Sequence, residues 1–153
     1  MEKKTLNKLL ENALKTDCIQ IIYELLKLNP EGEELINDWY EKNDQKRKEE
    51  AQDAEFINLW DERILPTVMA FNEYGGGDYR EEDDAIFLLW ELSKMGKEKN
   101  ISWNARKMVM DSMMEQYAIG NSGFEDMLYE IASGFCDTEE EIVYFEEIIK
   151  MIV

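Results

Sequence analysis

Apolar residues at helical spacing, bounded by capping residues, constrain this chain more than any other sequence feature. The clearest case begins at Ser122, three positions before Glu125, and continues through Thr138, three positions before Glu141. A hydroxyl residue followed at this interval by a glutamate is a capping box, which marks a helix start. The apolar residues that follow the two boxes are Phe124, Met127, Leu128, Ile131, Ala132 and Phe135, then Ile142, Phe145, Ile148, Ile149 and Ile152. Because the connection is short, we predict an antiparallel helical hairpin.

Earlier parts of the chain repeat the same order of cap, amphipathic run and glycine. Helix starts are predicted near residues 78, 102, 122 and 138, with Ser102 as one of the caps. Gly96 and Gly120 are predicted to end the two helices that precede the hairpin. The starts lie 16 to 24 residues apart, which fits stacked hairpins of a helical repeat.

Three more helices are predicted nearer the N-terminus. Their expected caps are Thr5, Thr16-Asp17 and Asn29-Pro30. The second of these helices is apolar on more than half its circumference between Cys18 and Leu28. A helix of this kind is usually buried on several sides, so we expect it deep in the core.

Three features interrupt the helical pattern. Residues 41–53 contain Ala51 as their only apolar residue, and we interpret them as a solvated helix or an exposed loop, the place for a flexible joint. Pro66 removes a backbone donor, so a kink or break is predicted near Arg63. The glycines at 75–77 predict a turn or hinge, because three in a row lose too much conformational entropy in a helix.

Together these signals predict an all-α fold. A length of 153 residues corresponds to one ordinary domain, so residues 1–153 are interpreted as a single all-α domain. We expect six to eight antiparallel helices in stacked hairpins. Residue-level similarity between the hairpins is weak, and both a helical-repeat-like stack and an irregular bundle remain open.

The chain is strongly acidic, with 35 Asp and Glu against 17 Lys and Arg and a formal net charge of -18. Direct nucleic-acid binding is not expected, because it depends on a basic excess. An acidic surface can mimic nucleic acid toward a basic protein, but acids spread along amphipathic helices favour an ordinary solvated surface. No apolar run is long enough for a signal peptide or a membrane span, so a cytoplasmic location is predicted.

Histidine is absent, which excludes the common catalytic devices. Neither a Ser-His-Asp triad nor a Cys-His pair can form, and the usual ligand of zinc, haem and helical di-iron sites is missing. Cys18 and Cys136 are interpreted as buried free thiols. We therefore predict no catalytic, cofactor-binding or metal-binding residue, no cofactor and no small-molecule ligand.

Two carboxylate groups give an alternative. Glu49-Glu50-x-x-Asp53 and Glu81-x-x-Asp84 are similar to the acidic helices of all-α nucleoside triphosphate pyrophosphatases. The resemblance implies a magnesium-dependent hydrolase, with carboxylates on one helix face holding the metal. Such spacings also arise from composition in a chain with 35 acids, and Asp53 stands where the family has glutamate. A solvated helical face is the favoured interpretation.

Methionines and tryptophans are candidates for either core or interface. Four of the nine methionines lie on one predicted helix, at Met108, Met110, Met113 and Met114. An exposed methionine stripe can bind varied partners, whereas a buried one fills the core, and we favour core. The same question applies to the four tryptophans, Trp39, Trp60, Trp90 and Trp103.

A longer motif covers about the last third of the chain. It comprises Asn121-Ser122-Gly123-Phe124-Glu125-Asp126, then Cys136-Asp137-Thr138-Glu139-Glu140-Glu141 and Tyr144-Phe145. The motif resembles the terminal helical hairpins of uncharacterised prokaryotic all-α proteins, some of which look like companions of zinc-binding SWIM domains. The resemblance implies a helical-repeat fold and no activity, since the zinc ligands of a SWIM domain are not in this sequence.

The sequence therefore predicts a non-catalytic protein-interaction or scaffolding module, with a protein partner or self-association. The alternatives are an acidic nucleic-acid mimic and the magnesium-dependent hydrolase. The apolar end Lys150-Met151-Ile152-Val153 is expected either to dock on the preceding helix or to face a partner.

Overall fold

The computed structural model describes residues 1–11 and 13–153, and in these ranges it has helices and no strands. The helices are α1 (Lys3–Leu10), α2 (Lys15–Leu28), α3 (Gly32–Asn58), α4 (Leu65–Tyr74), α5 (Tyr79–Glu98), α6 (Trp103–Ile119), α7 (Glu125–Gly134) and α8 (Glu139–Ile152). A π-helical turn, Leu59–Ile64, joins α3 to α4 without a break, so the described residues form seven helical runs. The predicted all-α class and helix number are confirmed. No helix in these ranges combines the length and apolar character needed to cross a membrane.

The contacts divide the chain into two compact units, residues 1–46 and 47–153. The boundary lies within residues 41–53, which are helical throughout as part of α3. Of the two interpretations of that segment, the structure therefore has the helix. The single domain over 1–153 and the flexible joint stay predictions.

The core of residues 47–153 is built from long apolar side chains on α3 to α8. Its largest fully buried members are Trp60, Phe56, Phe135, Ile64, Leu89, Leu92, Met110, Met113, Met114, Leu128, Val68 and Val109. Trp60 lies in the π-helical turn and donates its indole N–H to Ser112 Oγ on α6 at 2.8 Å. An indole needs such a partner when it is buried, and this bond fixes the π-helical turn against α6.

Buried polar side chains also join α4 to α6. The Asn72 side-chain amide donates to the backbone carbonyl of Gln116 at 3.2 Å and to the side-chain Oε1 of Gln116 at 3.0 Å. Asn72 Oδ1 in turn accepts from the Asn121 backbone N–H at 3.1 Å. Because an unpaired buried amide would be costly, these bonds set the position of α4 relative to the start of the α6–α7 loop.

Of the two outcomes predicted for Pro66, the break is wrong and the kink stays a prediction. The chain does not break near Arg63, and the residues just before the proline widen into the π-helical turn. Proline has no N–H, and its ring conflicts with the carbonyl four residues earlier. In the turn the Leu65 N–H bonds to the Trp60 carbonyl, five residues back, so the helix continues with a changed hydrogen-bond register.

Three helix starts are confirmed by their side-chain caps. The Asp78 carboxylate accepts from the Glu81 N–H at 2.9 Å at the start of α5. Ser102 Oγ accepts from the third residue of α6 at 3.2 Å, and Thr138 Oγ1 accepts from the Glu141 N–H at 3.2 Å. The predicted capping box of α8 is therefore present.

The start of α7 was predicted too early. The helix begins at Glu125, because Gly123 adopts a φ of +83° and turns the chain before the helix can form. Ser122 Oγ accepts from the Phe124 N–H at 3.1 Å, two residues on, and so closes a turn. The Glu125 carboxylate still reaches back to the Ser122 N–H at 2.9 Å, so half of the capping box remains.

The N-terminal caps also differ from the prediction. α1 begins at Lys3, ahead of Thr5, since the lysines before it are good helix formers. α2 begins at Lys15, and Asp17 accepts from the Leu14 N–H at 3.1 Å from inside the first turn. Asn29 and Pro30 form a turn before α3, which begins at Gly32.

Two glycines near helix ends have different roles. Gly120 has a φ of +69° and ends α6 as predicted. Gly96, the other predicted stop, is buried inside α5, which continues to Glu98. A Cβ on Gly96 would lie 2.5 Å from the ring of Phe135, so the glycine lets the aromatic side chain pack directly on the α5 backbone.

We expect Gly96→Ala to destabilise the unit formed by residues 47–153. The gain in helix propensity is about 1 kcal/mol, but the methyl group must displace the buried Phe135 ring, which costs more, about 2 to 3 kcal/mol. Urea unfolding of the full chain measures the difference.

Gly134→Ala is the matched control. The added Cβ at the end of α7 would lie 2.9 Å from Lys97 Cε, the far end of a flexible side chain that can move away. We expect a change within about 0.5 kcal/mol. Equal losses for the two variants would contradict the packing role of Gly96.

Candidate functional site

Three carboxylates from the alternative magnesium-site groups, Glu49, Asp53 and Glu81, accept hydrogen bonds within the fold. Asp53 accepts from the Ser102 backbone N–H at 2.8 Å and also from its hydroxyl group, so it supports the start of α6. Glu81 accepts from the Asp78 N–H at 3.4 Å within the cap of α5. Glu49 accepts from the Asn100 amide at 3.5 Å. In residues 1–11 and 13–153, no three Cys, Asp or Glu side chains are grouped so that they could hold a metal ion.

A buried ion pair is the strongest polar feature of residues 47–153. The Arg106 guanidinium on α6 donates to the two carboxylate oxygens of Glu141 on α8 at 3.2 and 3.4 Å. It also donates to the Ile101 carbonyl at 3.2 Å and to the Phe135 carbonyl, and it pairs with Asp137 Oδ2 at 3.0 Å. Arg106 therefore links α6 to the end of α7 and the start of α8.

The sequence contains a signal for this ion pair that the prediction missed. Arg106 lies three, four and seven residues before Val109, Met110 and Met113, all buried on α6. A charged residue on the apolar face of a helix must find a partner in the core. Glu141 was recognised only as a capping residue, although its carboxylate serves the cap and the ion pair together.

The charges around this pair favour a structural role. Burial alone would raise the pKa of Glu141, but hydrogen bonds from the Asp137 N–H at 2.6 Å and from Arg106 outweigh it, so the pKa lies below the ordinary 4.5. Burial and the negative charge of Glu141 raise the pKa of the nearby Cys136 thiol above 9.0. A protonated thiol is a poor nucleophile. Cys18 and Cys136 are both free, as predicted, but half-buried.

The methionine stripe and the tryptophans divide between core and surface. Met110, Met113 and Met114 are fully buried, and Met108 is exposed, so the stripe is mainly core. Trp60 is buried, and Trp103 is half-buried, with the Arg106 guanidinium 5.5 Å from its ring centroid. Trp39 and Trp90 are exposed, which makes them candidates for contact with another molecule.

One apolar groove lies on residues 47–153, between the end of α3, the π-helical turn and α5. Its apolar lining includes Ala54, Leu59, Leu88 and Met95, with the exposed Phe87 beside it. Its rim carries both charges, Glu55, Glu62, Glu91 and Arg63. The groove is one candidate contact surface.

The C-terminal residues are also partly packed on the core and partly exposed. Ile152 is half-buried and packs against the core, while Met151 and Val153 are exposed. The end of α8 therefore docks on the fold through Ile152, as Ile148 and Ile149 do just before it.

The most unusual surface is that of residues 1–46. None of the described residues in this unit is buried. Large apolar side chains are nevertheless exposed along α1, α2 and the first part of α3, at Leu6, Leu9, Leu10, Leu14, Ile19, Ile21, Ile22, Tyr23, Leu25, Leu28, Leu35, Ile36, Trp39 and Tyr40. We call these fourteen side chains the N-terminal apolar surface.

The prediction that α2 lies deep in the core is wrong. Ile19, Ile22 and Leu25 are 54%, 45% and 58% exposed. Within residues 1–46 the helices are too short and too few to enclose an apolar helix. So many exposed large apolar side chains make residues 1–46 a candidate contact surface.

Comparison with known protein families, with curated proteins and with solved structures finds no match. The chemistry and exposure of these surfaces are the basis on which a function is proposed.

The ion pair gives a prediction about pH. Because the folded state holds the Glu141 pKa below 4.5, the carboxylate stabilises the fold above that pH, and this contribution is lost as the pH falls through the lower folded pKa. Glu141→Gln removes the buried carboxylate and leaves Asp137 as the remaining acidic partner of Arg106, at an expected cost of about 2 kcal/mol at pH 7. In urea unfolding, the difference from the natural chain should shrink as the pH falls below 4.5.

Glu140→Gln is the control, since Glu140 is an exposed acid in the same first turn of α8. We expect it to change stability by at most about 0.5 kcal/mol. A loss for Glu141→Gln that is the same at every pH would contradict the role of the ionised carboxylate.

Proposed function

We propose that the protein is a non-catalytic interaction module that binds protein chains through residues 1–46. The observation that carries the proposal is the N-terminal apolar surface: fourteen large apolar side chains are exposed in a unit with no buried residue among those described. Residues 47–153 have their own core and form the stable part of the module.

Energetics support association at this surface. Isolated helices of 8 and 14 residues, the lengths of α1 and α2, are marginal in water. Moving one large apolar side chain from water into a protein interface contributes about 1.5 to 3 kcal/mol. A partner that covers several of the fourteen side chains would therefore stabilise the helices as it binds.

The shape of α2 supports a protein partner. Ile21, Leu25 and Leu28 share one face of the helix, and Ile19, Ile22 and Leu26 share a neighbouring face. Ridges of side chains on two adjacent faces fit the grooves of other helices. The partner surface is therefore expected to be helical and apolar.

The double variant Ile22→Glu/Leu25→Glu tests this proposal. Charges at two positions of α2 should lower partner binding at least about tenfold, because each would be desolvated in the complex. The measurement is affinity capture on the tagged full chain, with retained proteins, including untagged copies of the chain, quantified by mass spectrometry.

Met69→Glu is the matched control, because Met69 is 52% exposed and lies on α4, outside residues 1–46. It should retain the same proteins as the natural chain. The proposal fails if the natural chain retains nothing, or if the double variant and the control behave alike.

A further inference from the structure

We infer that the partner of residues 1–46 is a second copy of this chain, and that two copies form a dimer through their N-terminal apolar surfaces. The inference rests on the proposed function, since it names the partner for the same surface. It is argued from the apolar area, from the position of that area on α2 and from the distribution of charge.

The exposed area is sufficient for a dimer. The fourteen side chains range from 37% exposed at Leu10 to 85% at Leu28. Together they expose on the order of 1,000 Å² of apolar surface per chain, compared with about 800 Å² per partner in a standard stable interface. The apolar area exposed in residues 1–46 is therefore of the size that a standard interface buries.

The two exposed faces of α2 favour a symmetric arrangement. Ile21 and Leu25 lie on one face, and Ile19 and Ile22 lie on the next, so a single helix packed on α2 leaves one of them in water. In a two-fold dimer each copy receives the α2 of the other together with its α1 and the first part of its α3. Both faces are then covered by a small intermolecular bundle.

The distribution of charge favours a second copy of the chain over a basic protein as the partner of residues 1–46. Residues 1–46 contain ten acids and seven basic residues, a net of 7 − 10 = −3. Residues 47–153 contain 25 acids and ten basic residues, a net of 10 − 25 = −15. Two copies repel each other through residues 47–153, and the nearly neutral residues 1–46 are where they can approach. A partner chosen by opposite charge would be attracted to residues 47–153 instead.

Sedimentation equilibrium of the full chain over a concentration series tests the inference. The natural chain should move from 18.1 kDa toward 2 × 18.1 = 36.2 kDa as its concentration rises. Ile22→Glu/Leu25→Glu should stay at the monomer mass, and Met69→Glu should dimerise like the natural chain. Raising the salt concentration should strengthen the dimer, because salt screens the repulsion between the acidic units.

Phe87→Glu adds a second control, since Phe87 is an exposed aromatic residue beside the α3–α5 groove. It should leave the dimer intact. Near-ultraviolet circular dichroism, which reports the packing of buried aromatic side chains such as Trp60, should show that every variant keeps the folded core.

The possible results separate this inference from the proposed function. A natural chain that stays monomeric at every concentration overturns the dimer, while the proposed function survives if affinity capture retains another protein that the double variant loses. A dimer that persists in the double variant, is lost in Phe87→Glu, or weakens with salt also overturns the inference. If the natural chain neither dimerises nor retains any protein in affinity capture, both proposals fail.

Discussion

The arrangement of the last three helices depends on one buried cation. Arg106 carries a positive charge into the core, and its donors must be satisfied there. The backbone carbonyls of Ile101 and Phe135 and the Glu141 carboxylate satisfy them from three places in the chain. An ion pair of this kind adds little net stability compared with apolar packing, but it allows few alternative arrangements. It ties the end of α7 and the start of α8 to α6.

Local chemistry explains which parts of the fold could be predicted. Asp78, Ser102 and Thr138 cap helices through bonds within three residues, so the sequence alone identifies them. Gly96 and α2 were misinterpreted because their roles depend on distant residues. A glycine within a helical pattern predicts the end of the helix. Gly96 instead lies inside α5, where the ring of Phe135 packs directly on it. Likewise, an apolar helix is a core helix only if enough chain surrounds it.

The candidate interface depends both on local sequence pattern and on which residues the rest of the chain covers. The apolar character of α2 between Cys18 and Leu28 was recognised from the sequence, but periodicity shows only which side chains need to be covered. It does not show whether the same chain covers them. The structure adds that none of the described residues 1–46 is buried, while residues 47–153 form a filled core. This contrast shows that the described residues of 1–46 form no second core like that of residues 47–153.

The π-helical turn also sets the rotational phase of the long helical run. Phe56, Trp60, Ile64 and Val68 are fully buried at steps of four residues. In a regular α-helix, steps of four drift by about 40° each, so the last of the four would point well away from the first. A wider turn between Leu59 and Ile64 takes up this drift and keeps all four side chains on the core. The turn thus works as a phase correction: if the same residues formed a regular α-helix, Val68 and Phe71 would be rotated away from the core by about 100°, whereas deletion of one residue within the turn would leave their phase nearly unchanged.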